Sequence, residues 1–101
     1  MLENREYQQS LNEDVNPAIV REVGYGEAVI YSALVNEFKD QTAYFGFLED
    51  GWFHCQETEL AAQTEMTERY LRKKVRKLQR LGFIEKRKLY GENLNYYRLA
   101  V

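Results

Sequence analysis

The 101-residue chain has one cysteine, one proline and one histidine. With Cys55 alone, no internal disulfide can form, and the usage fits a reducing compartment. A structural zinc site needs four ligands, usually Cys or His in paired spacings, and His54-Cys55 has no second pair to join. Adjacent strand positions point to opposite faces, so one of these two is expected to pack inward. There is no glycine-rich phosphate loop and no nucleophile elbow, and the carboxylates are spread over helices and turns, where solubility accounts for them. An enzyme is not expected, and no cofactor or metal is called for. No apolar run approaches the roughly 20 residues of a membrane helix, and the chain does not start basic-then-apolar. A cytoplasmic protein without membrane contact is the expectation.

What the chain does have is a segregated charge. It is 45% hydrophobic and 30% charged, the composition of a globular domain, and its length fits one domain with a small core. The net charge of −2 hides two halves. Between Met66 and Gly91 ten Lys and Arg face two acids, a net of +8, while the remainder carries four cations and fourteen acids, a net of −10. An acidic body with one basic quarter points to docking on DNA or RNA through one side.

The basic quarter is organised around Thr67 to Leu81, TERYLRKKVRKLQRL. Residues three and four apart share a helix face, so Leu71, Val75, Leu78 and Leu81 form one apolar stripe. Arg69, Arg72, Lys73, Arg76, Lys77 and Arg80 gather opposite, with Glu68 near the start. Like charges at i,i+4 repel by a few tenths of a kcal/mol, so a face of one sign is best explained by a polyanionic partner. The competing explanations are a solvated face or packing against an acidic protein. Lys74 lies beside the stripe, where its stem covers core and its amine snorkels.

Along the chain, residues 1–15 are polar and acidic and read as a flexible or weakly helical arm, with the domain spanning 16–101. Asn16-Pro17 opens a helix over 17–23, and GEAVIYSALVNEFKD makes a buried core helix over 26–40. The aromatic runs flanking Glu49-Asp50-Gly51 read as a hairpin over 44–55, because Asp-Gly is a hairpin-turn signal. In that reading half of Tyr44, Phe45, Phe47, Trp52 and Phe53 face the core and half pack cross-strand; an exposed patch for self-association is the alternative. A short helix over 57–64 turns Leu60 and Ala61 inward, residues 64–66 turn, and Thr67 caps a helix over 67–81 that Gly82 ends. FIEKRKL and LNYYRL then form a hairpin over 83–99 around a tip at 90–93.

Short helix, tight turn, basic helix, glycine and basic hairpin, over Glu57–Leu99, closely resemble the winged helix-turn-helix superfamily. The carrying residues are Thr67 as cap, Leu78-Gln79-Arg80-Leu81-Gly82-Phe83-Ile84 and the closing Tyr97-Arg98-Leu99. The aromatic DGWF segment before the short helix further resembles N-terminal domains of plasmid and phage replication initiators. The resemblance implies an α+β winged helix with an additional β-hairpin before the short helix. It implies a double-stranded DNA site made of Thr67, Arg69, Arg72, Lys73, Arg76, Lys77 and Arg80 on the helix, with Lys86, Arg87 and Lys88 on the hairpin. Strand alternation puts Lys86 and Lys88 opposite Arg87, so one set alone can face the duplex. Three roles are open: a replication initiator's DNA-binding domain, a small transcriptional regulator, or a protein-interaction module in a replication or transcription assembly. A second copy of the chain and proteins of such an assembly are the further partners these readings admit.

Overall fold

The computed structural model describes residues 17–46, 48–88 and 95–100. The arm over 1–15, the Asn16 cap and the hairpin tip at 90–93 lie outside these. Helix α1 (Pro17–Val23) buries Ile19 and Val23. Gly24, at φ +103°, ends it by donating its N–H to the Val20 carbonyl (2.8 Å) and opens helix α2 (Tyr25–Phe45) by accepting from the Ala28 N–H (3.0 Å). One residue serves both helices, and a side chain there is excluded twice: by the positive φ, and because a Cβ would lie 2.9 Å from Glu27 Oε1.

Helix α2 overturns the hairpin expected over 44–55. Tyr44 and Phe45 continue the helix and are exposed, and the chain leaves it only at Gly46, whose φ of +76° lets its N–H close on the Thr42 carbonyl at 2.7 Å. Nothing between residues 41 and 45 breaks a helix, so intrahelical hydrogen bonding wins over the strand propensity of the aromatics. Asp50 and Gly51 do turn the chain at positive φ, but within a turn of 3-10 helix (Glu49–Gly51) leading into strand β1 (Phe53–Cys55). Of the described aromatics in this region, Phe53 alone is fully buried and Trp52 is half-buried.

Helix α3 (Glu57–Thr64) turns Leu60 and Ala61 inward. It stops at Glu65, which adopts the left-handed conformation (φ +56°) so that its own N–H and that of Met66 close on the Ala62 and Ala61 carbonyls. Helix α4 (Glu68–Arg80) starts at the Thr67 cap, whose Oγ1 accepts from the Tyr70 N–H at 3.1 Å. It ends at Gly82 (φ +81°), where Gly82 and Phe83 donate to the Gln79 and Leu78 carbonyls. Glu65 bears a Cβ penalty that glycine escapes, so Glu65→Gly is expected to raise stability by about 0.5–1 kcal/mol in urea unfolding. An unchanged midpoint would mean that the Glu65 side chain compensates through a contact of its own.

Strands β2 (Ile84–Lys88) and β3 (Asn95–Leu99) pair antiparallel with Ile84 opposite Leu99. Strand β1 adds to the other side of β3 with Phe53 opposite Tyr97, giving the order β1-β3-β2. The described residues thus form an α+β fold of four helices and one three-stranded antiparallel sheet. Its core joins Ile30 and Leu34 of α2, Leu60 of α3, Leu71, Val75 and Leu78 of α4, and Phe53, Ile84 and Tyr97 of the sheet. Full burial of each leucine contributes about 1.5–3 kcal/mol. The free edge of β1 is closed by a side chain: Gln41 Nε2 donates to the His54 carbonyl (2.6 Å) and Gln41 Oε1 accepts the His54 N–H (3.3 Å).

Candidate nucleic-acid interface

Three core contacts of α4 orient its opposite face. With Leu71, Val75 and Leu78 buried, Arg69, Arg72, Lys73, Arg76 and Arg80 are all exposed. Arg69, Lys73, Arg76 and Arg80 have no ion-pair partner among the described residues. Leu81, expected in the stripe, caps the helix instead and is half exposed. Thr67 sits at the start of the same face with its hydroxyl committed to the cap.

Two of the seven α4 cations turn inward. Lys77 Nζ lies 3.1 Å and Lys74 Nζ 3.4 Å from Oε2 of Glu27, a carboxylate with a side chain only 2% exposed. Lys74 also rests over the Tyr70 ring at 5.1 Å. The Lys74 amine, expected to snorkel, therefore reaches a buried acid, and Lys77 is largely spent on the same group. Burial alone would push the Glu27 carboxyl up, but its own backbone N–H, Lys77 and Lys74 together hold it below the usual carboxylate range.

The hairpin strand divides as alternation requires. Ile84 is buried, Lys86 half-buried and Lys88 exposed on the same side of β2, while Glu85 and Arg87 take the other side. The ammonium of Lys86 is pushed to lower pKa by burial first and then by Lys88, Arg72 and Arg76, against an opposing pull from Glu57. Helix α4 packs on β2, and Lys86 and Lys88 share the side of that strand on which Ile84 is buried. Arg87 is elsewhere. Its guanidinium lies 4.5 Å from the centre of the Trp52 ring, and Arg98 lies 4.8 Å from the same ring while gripping Glu85 through both carboxylate oxygens (3.0 and 2.7 Å). A recess of about 380 Å³ beside them is lined by Glu49, Asp50, Trp52, Arg87 and Tyr96.

Two acids shape this face in ways the charge pattern does not reveal. Glu57, the first residue of α3, accepts a hydrogen bond from Arg72 across 15 positions of sequence. No local spacing announces that pair. Glu27 had a signal, since an acid in the first turn of a helix offsets the unpaired N–H groups there, and Gly24 supplies no side-chain cap. Cys55 is buried, its thiol pushed up to about 12 by burial first and then by Glu37 and Glu59, while the adjacent His54 faces outward. Among the described residues no three His, Cys, Asp or Glu side chains converge as a metal site, and no helix is long and apolar enough to cross a membrane. No protein-family model, curated protein or solved structure matches the chain.

Proposed function

We propose that this chain is a winged helix-turn-helix domain that binds double-stranded DNA, with α4 in the major groove and the β2 lysines on the flanking backbone. The observation that carries the reading is the exposed face of Arg69, Lys73, Arg76 and Arg80, none of them paired with an acid among the described residues, on a helix that packs against the basic strand β2. Element order supports it too: a short helix, a turn over residues 65–67, a basic helix, a glycine stop and a β-ribbon. An exposed helix of ordinary diameter fits the major groove, and lysines on an adjoining strand meet phosphates without reading sequence.

Salt tests this reading directly. Within the basic stretch from Met66 to Lys88, Arg69, Lys73, Arg76, Arg80, Lys86 and Lys88 are the cations not claimed by an acid or an aromatic ring among the described residues. If they meet phosphates, log K against log[salt] should fall with a slope of roughly −5, from about −0.9 per phosphate. A slope near zero, or no retention of any duplex, would favour a protein-interaction module instead. The DGWF segment underlies the initiator assignment, which a direct-repeat origin site would support; a promoter palindrome as preferred target would favour a transcriptional regulator.

A further inference from the structure

Glu57 is an acid paired with a cation of the proposed DNA face. Its side chain is 20% exposed, against 47% for Arg72, so the carboxylate is more shielded from water than the guanidinium it binds. Its Oε1 accepts from Arg72 Nη1, and its charge also reaches Lys86. A lone exposed carboxylate on a DNA-binding face would only weaken binding. One that is fixed by a hydrogen bond to a base-reading arginine does something else.

A guanidinium is a rigid fork with two usable edges. With Nη1 held by Glu57, Nε and Nη2 remain, and that edge can donate two parallel hydrogen bonds to guanine O6 and N7. Held this way, Arg72 gives up little side-chain freedom when it meets a base. A phosphate brought to the same place meets the Glu57 carboxylate as well, and like charges repel. The pair therefore favours a neutral base edge over a phosphate at this one position.

We propose that Glu57 is a positioning residue for base readout, presenting the Nε–Nη2 edge of Arg72 to a guanine and setting the ratio of specific to random DNA binding. This rests on the DNA reading above. The test begins with selection of the preferred site from a random duplex pool by the whole chain. Affinities of the unaltered chain, Glu57→Gln and Arg72→Ala are then measured on that site, on variants of it with each guanine replaced, and on random duplex. The unaltered chain should discriminate for guanine at a position that Arg72→Ala makes indifferent. Glu57→Gln should bind random duplex more tightly and lose about tenfold of that guanine discrimination, with the other positions unchanged. Equal weakening on every sequence would mean a structural role only and overturns the proposal. So does undiminished guanine discrimination in Glu57→Gln while Arg72→Ala abolishes it, and in that case the DNA reading stands. If the pool yields no bound duplex, both fall together. Should Glu57→Gln melt early, Glu57→Asp keeps the charge but draws it back by one methylene. It must then show the same selective loss at the guanine position, and intact discrimination there overturns the proposal as well.

Discussion

Alanine at Arg72 is expected to weaken binding to the preferred duplex by about 1–3 kcal/mol, the range for a lost bidentate base contact, with a much smaller effect on random duplex. Arg72 is exposed at mid-helix and already oriented by Glu57, so truncation removes a pre-positioned donor pair and not a wandering charge. Neutralising Lys86 and Lys88 together should behave differently. Both leave the side of β2 that carries buried Ile84, on the strand against which α4 packs, and phosphate contacts carry no sequence information directly, so specific and random affinities should fall by similar factors. Arg87→Ala serves as the internal control, because its guanidinium is stacked on Trp52 on the other side of the strand. Titrations of the three variants on both duplexes decide the matter. If Arg87→Ala alone weakens binding, the outer side of the sheet, and not α4 with Lys86 and Lys88, is the DNA face.

The largest stability effect should come from Glu27. Replacing it with alanine leaves two lysines facing a vacated, buried site, and losing one partner of a buried ion pair costs about 3–5 kcal/mol. Lys74 and Lys77 are partly exposed and can return to water, which lowers the expected loss to about 2–4 kcal/mol. For a domain of this size that is a fall in Tm on the order of 10–25 °C. Glu27→Gln keeps the shape and should lose less. The carboxyl is held below its ordinary range in the folded state, so its contribution is complete above the unfolded pKa and disappears as pH falls through the lowered folded value. The acid limb of the stability curve should therefore be shallower in Glu27→Gln than in the unaltered chain. An unshifted Tm for Glu27→Ala would show that Lys74 and Lys77 hold α4 on α2 without needing the acid.

Much of this architecture is legible in the sequence wherever one residue type meets one local requirement. Thr67 can cap, Gly82 can take positive φ, and Leu71, Val75 and Leu78 repeat at helical spacing, so α4 and its limits follow from local rules. Those rules failed at residues 44–55, where two glycines compete as punctuation. Asp50-Gly51 looks like the tip of a hairpin, yet Gly46 is the earlier stop and α2 runs up to it. The sheet shows the same boundary: β1 finds its partner in β3, forty or more residues away, a pairing that no local pattern encodes. In the candidate site the exposed cations of α4 were readable from periodicity. Their acidic counterparts were not, because Glu27 meets Lys74 and Lys77, and Glu57 meets Arg72, only once the helices have packed.

The Gln41 amide that completes the hydrogen bonding of His54 also bears on how this protein behaves at high concentration. A sheet of three strands has two outer margins, and each is a template on which another molecule's strand can grow toward a fibril. On the β1 margin the carboxamide occupies the outward-facing N–H and C=O of His54 as a neighbouring backbone would. On the β2 margin Lys86, Arg87 and Lys88 stand in consecutive positions, so an identical strand laid alongside would bring like charges together. One margin is plugged by an amide and the other is guarded by repulsion. Both devices disfavour strand addition at the described edges, while the β2 margin stays open to a ligand of opposite charge.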